Sequence, residues 1–198
     1  MTGIILSGGR SSRMRTDKAL LKFGDITVIE IVTDKMKQIF NEVIISTNNK
    51  NDYSFLNLPI IQDEFIDKGP LSGLHAAIES SGTEKNFVIS CDMPLISPEM
   101  ITFIANYISD KEIILPEVNG KVQQLCGVYS KSVITEIEKI FVLSEGDKNI
   151  KGSVFNLLKK VSTEFVAVER LPFYDKNIFI NMNTMEEYEL IKNIFEKK

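Results

Sequence analysis

The sequence predicts an α/β fold: one doubly wound domain with helices on both faces of a parallel sheet. Three observations carry this expectation. Short β-branched runs alternate along the chain with stretches of helical period. The triplets Ile4-Ile5-Leu6, Val43-Ile44-Ile45 and Phe87-Val88-Ile89 do not alternate with polar residues, as expected of strands buried on both faces. The length, 198 residues with 43% hydrophobic content, supplies one sizeable core rather than two domains and a linker.

The elements follow in order. Residues 2–6 predict the first strand, 28–40 an amphipathic helix, 42–46 and 59–62 two strands, 70–80 a helix and 86–90 a strand. Ser97-Pro98 opens a helix to about residue 107: serine suits the N-cap, and proline at the first helical position has no N–H to leave unpaired. A strand is expected at 112–115. The second half is less regular, with a strand at 122–129, a helix at 132–142, a short helix at 154–160 and a strand at 165–168. Thr184-Met185-Glu186-Glu187 matches a capping box and starts a last helix to about residue 195. No Pro/Ser-rich linker, low-complexity tract or internal repeat interrupts the chain.

Charge and composition exclude several classes. The 23 basic residues against 27 acidic ones give a net charge of -4, which argues against a nucleic-acid binder. No apolar run reaches the roughly 20 residues of a membrane span. Residues 3–6 lack a basic region before them, so no signal peptide is expected. Cys91 and Cys126 form no CxxC pair, and with His75 as the single histidine they argue against a structural zinc site. His75 itself is expected on a helix surface. A reduced, cytoplasmic enzyme or binding domain remains.

Ligands in doubly wound sheets bind at the carboxyl ends of the strands. The first strand leaves into Leu6-Ser7-Gly8-Gly9-Arg10-Ser11-Ser12-Arg13-Met14-Arg15-Thr16-Asp17-Lys18. This is neither GxGxxG nor GxxxxGK[ST]. Gly8 and Gly9 allow close approach of backbone to an anion. Arg10, Arg13, Arg15, Lys18 and Lys22 face a single acid, Asp17, in a chain that is acidic overall. The segment reads either as a triphosphate cradle or as a glycine turn before a solvated basic helix start. The coincidence of glycine loop, strand end and cations favours the phosphate.

The loop resembles LAGGxxxRMGxDK, the signature of the molybdenum cofactor guanylyltransferases. Four further segments resemble that family in the same order. Gly69-Pro70-Leu71-Ser72-Gly73 resembles GPLAG, and Cys91-Asp92-Met93-Pro94 resembles CDMP. Gln123-Gln124-Leu125-Cys126-Gly127-Val128-Tyr129 resembles QPLxALY, and Asn181-Met182-Asn183-Thr184 resembles NxNTPED. The resemblance implies a Rossmann-like fold of the nucleotide-diphospho-sugar transferase type. It implies one domain over 1–198, with a nucleotide-binding half at about 1–110 and an acceptor-binding half at about 111–198. The implied reaction transfers GMP from GTP to the terminal phosphate of molybdopterin cofactor and releases pyrophosphate, with Mg2+ as cofactor. Implied protein partners are those that supply molybdopterin and the molybdoenzymes that receive the product.

Site residues follow from the matched motifs. Arg13 and Lys18 match the cations that screen the triphosphate, Arg as a planar fork and Lys as a point charge. Asp92, after the strand 86–90, matches a Mg2+ ligand, or closes an Asx turn before Met93-Pro94. Leu6, Ser7, Gly8 and Gly9 form the nucleotide loop with Lys18. Asp63 resembles the aspartate that contacts the nucleotide. Asn48 is a candidate for base or ribose contact, or a polar loop tip. Gly69 and Gly73 bracket a turn, either for close approach of guanine or ribose or for helix entry. Gln123, Asn181 and Asn183 are assigned to the acceptor, and Asn183 is also a suitable N-cap.

Three positions depart from the family pattern. Arg15 replaces a glycine and resists backbone angles that glycine adopts; Gln124 and Met185 each replace a proline. Two rival enzymes are a molybdopterin cytidylyltransferase and a nucleotide-sugar pyrophosphorylase. Such relatives read LAAG where this chain has Leu6-Ser7-Gly8-Gly9, so the glycine pair favours guanine. A third rival is a GTP-binding accessory module without transferase activity, against which Arg13, Lys18, Asp63 and Asp92 are all present.

Overall fold

The computed structural model describes residues 1–8, 17–65, 68–146 and 152–196. The chain runs β1 (Thr2–Leu6), a small hairpin β2 (Lys22–Phe23) and β3 (Ile26–Thr27), α1 (Val28–Ile39), β4 (Val43–Ser46), β5 (Ile60–Ile61), α2 (Pro70–Ser80) and β6 (Lys85–Ser90). It continues through α3 (Pro98–Ala105), β7 (Ile113–Val118), β8 (Lys121–Val122), β9 (Cys126–Ser130), α4 (Ile134–Gly146), α5 (Val154–Leu158), β10 (Thr163–Ala167) and α6 (Met185–Phe195). One sheet is ordered β10-β7-β9-β6-β1-β4-β5, with β8 paired to β7 outside that path.

Alternate residues of the central strands feed two cores. Ile5, Ile45, Phe87 and Ile89 pack with α1 and α3 on one face. Ile4, Leu6, Ile44 and Val88 pack with α2, α4 and α5 on the other. This two-sided burial is why those triplets carry no polar alternation, and the doubly wound expectation holds. Local caps fix the helix starts. Thr27 with Glu30 and Thr184 with Glu187 form capping boxes, and Ser97 accepts from the Met100 N–H.

The sheet is mixed rather than wholly parallel. β9 runs antiparallel to both β6 and β7. The cause is a tight reversal at Asn119 (φ 49°) and Gly120 (φ 73°), both left-handed, as a two-residue hairpin of this twist requires. A separate turn at Gln124-Leu125, closed by the Cys126 N–H on the Gln123 carbonyl (3.2 Å), breaks the strand expected at 122–129 into β8 and β9. The helix expected at 132–142 starts later, after a 3₁₀ turn over Lys131–Val133.

β1 pairs in parallel with β4 on one side and β6 on the other. The chain moves outward from β1 to β4 and β5, then crosses back through α2 to β6. The direction of winding therefore switches at β1, and the ends of β1, β4 and β6 at Leu6, Ser46 and Ser90 open onto one edge. No helix among the described residues is long and apolar enough to cross a membrane.

Candidate active site

The loop after β1 is tied at both described ends. Ser7 donates its N–H to the Ser46 carbonyl (2.9 Å) and its Oγ–H to Tyr53 Oη (2.8 Å). Tyr53 in turn donates to Asp17 Oδ2 (2.6 Å). The other Asp17 oxygen accepts from the Ala19 N–H (3.1 Å) and caps the turn that carries Lys18. Burial, followed by the Asp17 carboxylate, pushes the Tyr53 phenol well above its ordinary value, so it stays protonated as the donor. Gly9, Arg13 and Arg15 lie outside the described residues.

Lys18 Nζ donates to Asp92 Oδ2 and, at 2.9 Å, to Asn183 Oδ1. Asp92 is buried on the turn that leaves β6, and its carbonyl accepts from the Met182 N–H (2.9 Å). The sequence separation of 165 between Lys18 and Asn183 is bridged by a third apolar cluster. Phe23, just after Lys18, stacks on Tyr188 and Phe195 of α6, and Met182 is buried in the same cluster. Thr184, not Asn183, is the N-cap of α6, which leaves the Asn183 amide for Lys18. Asp92 Oδ1 is buried and accepts no hydrogen bond among the described residues. A carboxylate with one satisfied and one orphaned oxygen suits a divalent cation, so the residues present fit Mg2+.

A second group forms at the ends of β4 and β5. Asn48 Nδ2 donates to Asp63 Oδ2 (3.1 Å), and the Asp63 N–H donates back to Asn48 Oδ1 (3.0 Å). Burial raises the Asp63 pKa, and the Asn48 donor partly offsets this. A Cβ at Gly73 would stand 2.6 Å from Ser46 Oγ and 3.3 Å from Asp63 Oδ1, so glycine lets α2 close on this pair. Gly69 has φ 67° and enters α2 ahead of Pro70. A third feature is a pocket of about 210 Å³ lined by Asn119, Lys121, Gln123, Tyr174, Lys176 and Phe179, among others. Asn181 is not among its lining residues; its Nδ2 donates to the Phe179 carbonyl (3.3 Å).

Residues 3–161 match the family model described as the MobA-like NTP transferase domain. The chain belongs to this family. As a MobA-like NTP transferase it is a nucleotidyltransferase. It is 36% identical over 190 residues to a Clostridium perfringens (strain 13 / Type A) protein named "Probable molybdenum cofactor guanylyltransferase", covering 95% of this chain and 94% of that one. A Carboxydothermus hydrogenoformans protein of the same name is 32% identical over 200 residues, covering 100% of this chain and 98% of that one. The crystal structure of molybdopterin-guanine dinucleotide biosynthesis protein A from Archaeoglobus fulgidus shares the fold. Its TM-score is 0.82 over the whole of both chains, at 21% identity.

In this MobA-like transferase the structure brings together Lys18, Asp92 and Asn183, and separately Asn48, Asp63 and Gly73. Gln123 lies apart from both groups, in the pocket. Sequence reasoning missed Tyr53, which joins Ser7 to Asp17; it sits in the polar segment Lys50–Leu56, where nothing local marks it. His75 is not on a helix surface but buried on α2, with Phe65 edge-on to its ring at 5.0 Å. Cys91 and Cys126 are buried and free. Burial pushes both thiols up to about 12, with the Asp92 charge adding to the effect at Cys91. Neither is a thiolate nucleophile at neutral pH.

Proposed function

We propose that this protein transfers GMP from GTP to the terminal phosphate of molybdopterin cofactor. An oxygen of that phosphate attacks the α-phosphorus of GTP, the bond from that phosphorus to the bridging oxygen breaks, and pyrophosphate leaves. The observation that carries the reading is the shared ammonium of Lys18, held by Asp92 and Asn183 where the sheet switches direction. Both reactants are anions, so the protein's task is to position them and screen their charge.

Lys18 supplies a fixed positive charge beside the α-phosphorus. Ser7 and Gly8 offer backbone at the loop entrance, and a Cβ at Gly8 would meet no atom of the other described residues within 4 Å. Asp92 would hold Mg2+, which when bound neutralises triphosphate charge. Asp63 and Asn48, with Gly69 and Gly73, bound the space for ribose and guanine. Asn183 orients the Lys18 ammonium from the acceptor side. The pocket combines cations (Lys121, Lys176), aromatic rings (Tyr174, Phe179) and amides (Asn119, Gln123). That chemistry suits a flat, amide-edged heterocycle bearing phosphate, and supports placing the acceptor there.

The test is pyrophosphate release by purified protein with each of the four NTPs, with and without molybdopterin. Release with GTP only, and only with acceptor, is the expected result. Faster release with CTP would promote the cytidylyl alternative. GTP binding without any release would make the protein an accessory module.

A further inference from the structure

His75 is only 1% exposed, and its Nδ1 has no hydrogen-bond partner among the described residues. A buried imidazole nitrogen left without a partner calls for an explanation. Two carboxylates from α2 and the loop after β5 lie near the ring. Glu79, one helical turn along α2, places Oε2 3.9 Å from Nδ1. Glu64, from the loop after β5, completes a trio whose ligand atoms all lie within 4.8 Å of one another. The other ring nitrogen, Nε2, lies 3.4 Å from Glu138 Oε1 on α4. An N–H donated from Nε2 to that carboxylate fixes the tautomer and leaves the Nδ1 lone pair for Glu79's side of the ring. Phe65 and Phe141 pack against the imidazole and hold its plane.

We propose that Glu64, His75 and Glu79 bind a divalent transition-metal ion such as Zn2+, at a site separate from Asp92. One imidazole nitrogen with two carboxylate oxygens suits zinc, whereas Mg2+ prefers oxygen alone. Ligand atoms around a four-coordinate zinc stand about 3.4 Å apart, so modest rotation of the exposed Glu64 and Glu79 side chains closes the trio. Glu138 acts behind His75 by orienting its ring. The ion joins Glu64, the residue next to Asp63, to α2, whose N-cap is Gly69. The cysteines and histidine do not cluster in sequence; the ligands come together only because β5 delivers Glu64 beside α2.

The experiment uses untagged, full-length Asp92→Asn protein, stripped with EDTA, so that a metal at Asp92 does not contribute. Calorimetric titration with Zn2+ is expected to give one ion per chain. Glu64→Gln and Glu79→Gln, added singly and checked by circular dichroism, should each weaken binding by about tenfold or more. Glu99→Gln, exposed at the start of α3, should leave it unchanged. His75 is the only histidine, so its ring nitrogens are unambiguous in 15N spectra. Zn2+ should shift Nδ1 and leave the proton on Nε2. Absence of a bound ion, equal affinity in the Glu64→Gln and Glu79→Gln proteins, or an unmoved Nδ1 signal at saturation would each overturn the proposal.

Discussion

Lys18 Nζ is shared between Asp92 and Asn183, so one ammonium joins the loop after β1 to the turn after β6 and to the segment before α6. Lys18→Ala should therefore lower turnover more than it weakens GTP binding. Losing one preorganised charge contact typically costs about 3 kcal/mol, or roughly a hundredfold in rate. Lys22, exposed on β2, is the control, and Lys22→Ala should have little effect. Steady-state kinetics on both variants, with folding checked by circular dichroism, decide the matter. Equal small effects would place the phosphate site elsewhere.

Asp92→Asn keeps the shape of the turn, because the Met182 N–H bonds the backbone carbonyl and not the side chain. The fold should survive while turnover at saturating Mg2+ falls by about a hundredfold or more. Turnover is to be measured across a range of Mg2+ concentrations. A wild-type rate throughout would make Asp92 a turn residue only.

What could be read in advance follows from where each signal resides. Proline after Gly69 and the Thr184 capping box act within one helical turn, and both α2 and α6 start where those residues put them. The direction of β9 is different. A run of apolar residues records burial but not polarity, and the Asn119-Gly120 reversal that sets the direction is only two residues long. The site divides in the same way. Asp92 announces itself by following a buried strand. Its contact with Lys18 joins the turns after β1 and β6, and that of Lys18 with Asn183 accompanies Phe23 stacking against α6; no local pattern encodes either. His75 is expected on a helix surface because the sequence offers it no metal or triad partner; Phe65 and Phe141, which cover it, arrive from other elements.

Tyr53→Phe removes the hydroxyl that accepts from Ser7 and donates to Asp17. The Asp17 carboxylate then loses a charge-assisted partner. A change of about 1.5–3 kcal/mol in unfolding free energy is expected. Urea denaturation of the two proteins measures it. GTP affinity should fall as well, because Asp17 caps the turn that presents Lys18. An unchanged midpoint together with unchanged affinity would remove Tyr53 from the account of the loop.

Asp63 supplies a pH test of the Asn48 pair. Burial raises its pKa above the ordinary 3.8, and the Asn48 donor opposes that rise. The folded state therefore holds the Asp63 proton more tightly than the unfolded state does. From this group, stability falls as pH rises from 3.8 through the raised folded value, and the cost is fully present above it. Asn48→Ala removes the opposing donor, so the Asp63 carboxyl should titrate higher still. The variant should then be more destabilised at pH 7 than near pH 4, because the lost donor favours only the charged carboxylate. Carbon-detected NMR titration of the Asp63 carboxyl, with denaturation curves at both pH values, reads the two effects separately. A carboxyl that titrates lower in Asn48→Ala than in the parent protein would show that Asn48 does not stabilise the charge, and the pairing at the ends of β4 and β5 would have no electrostatic role.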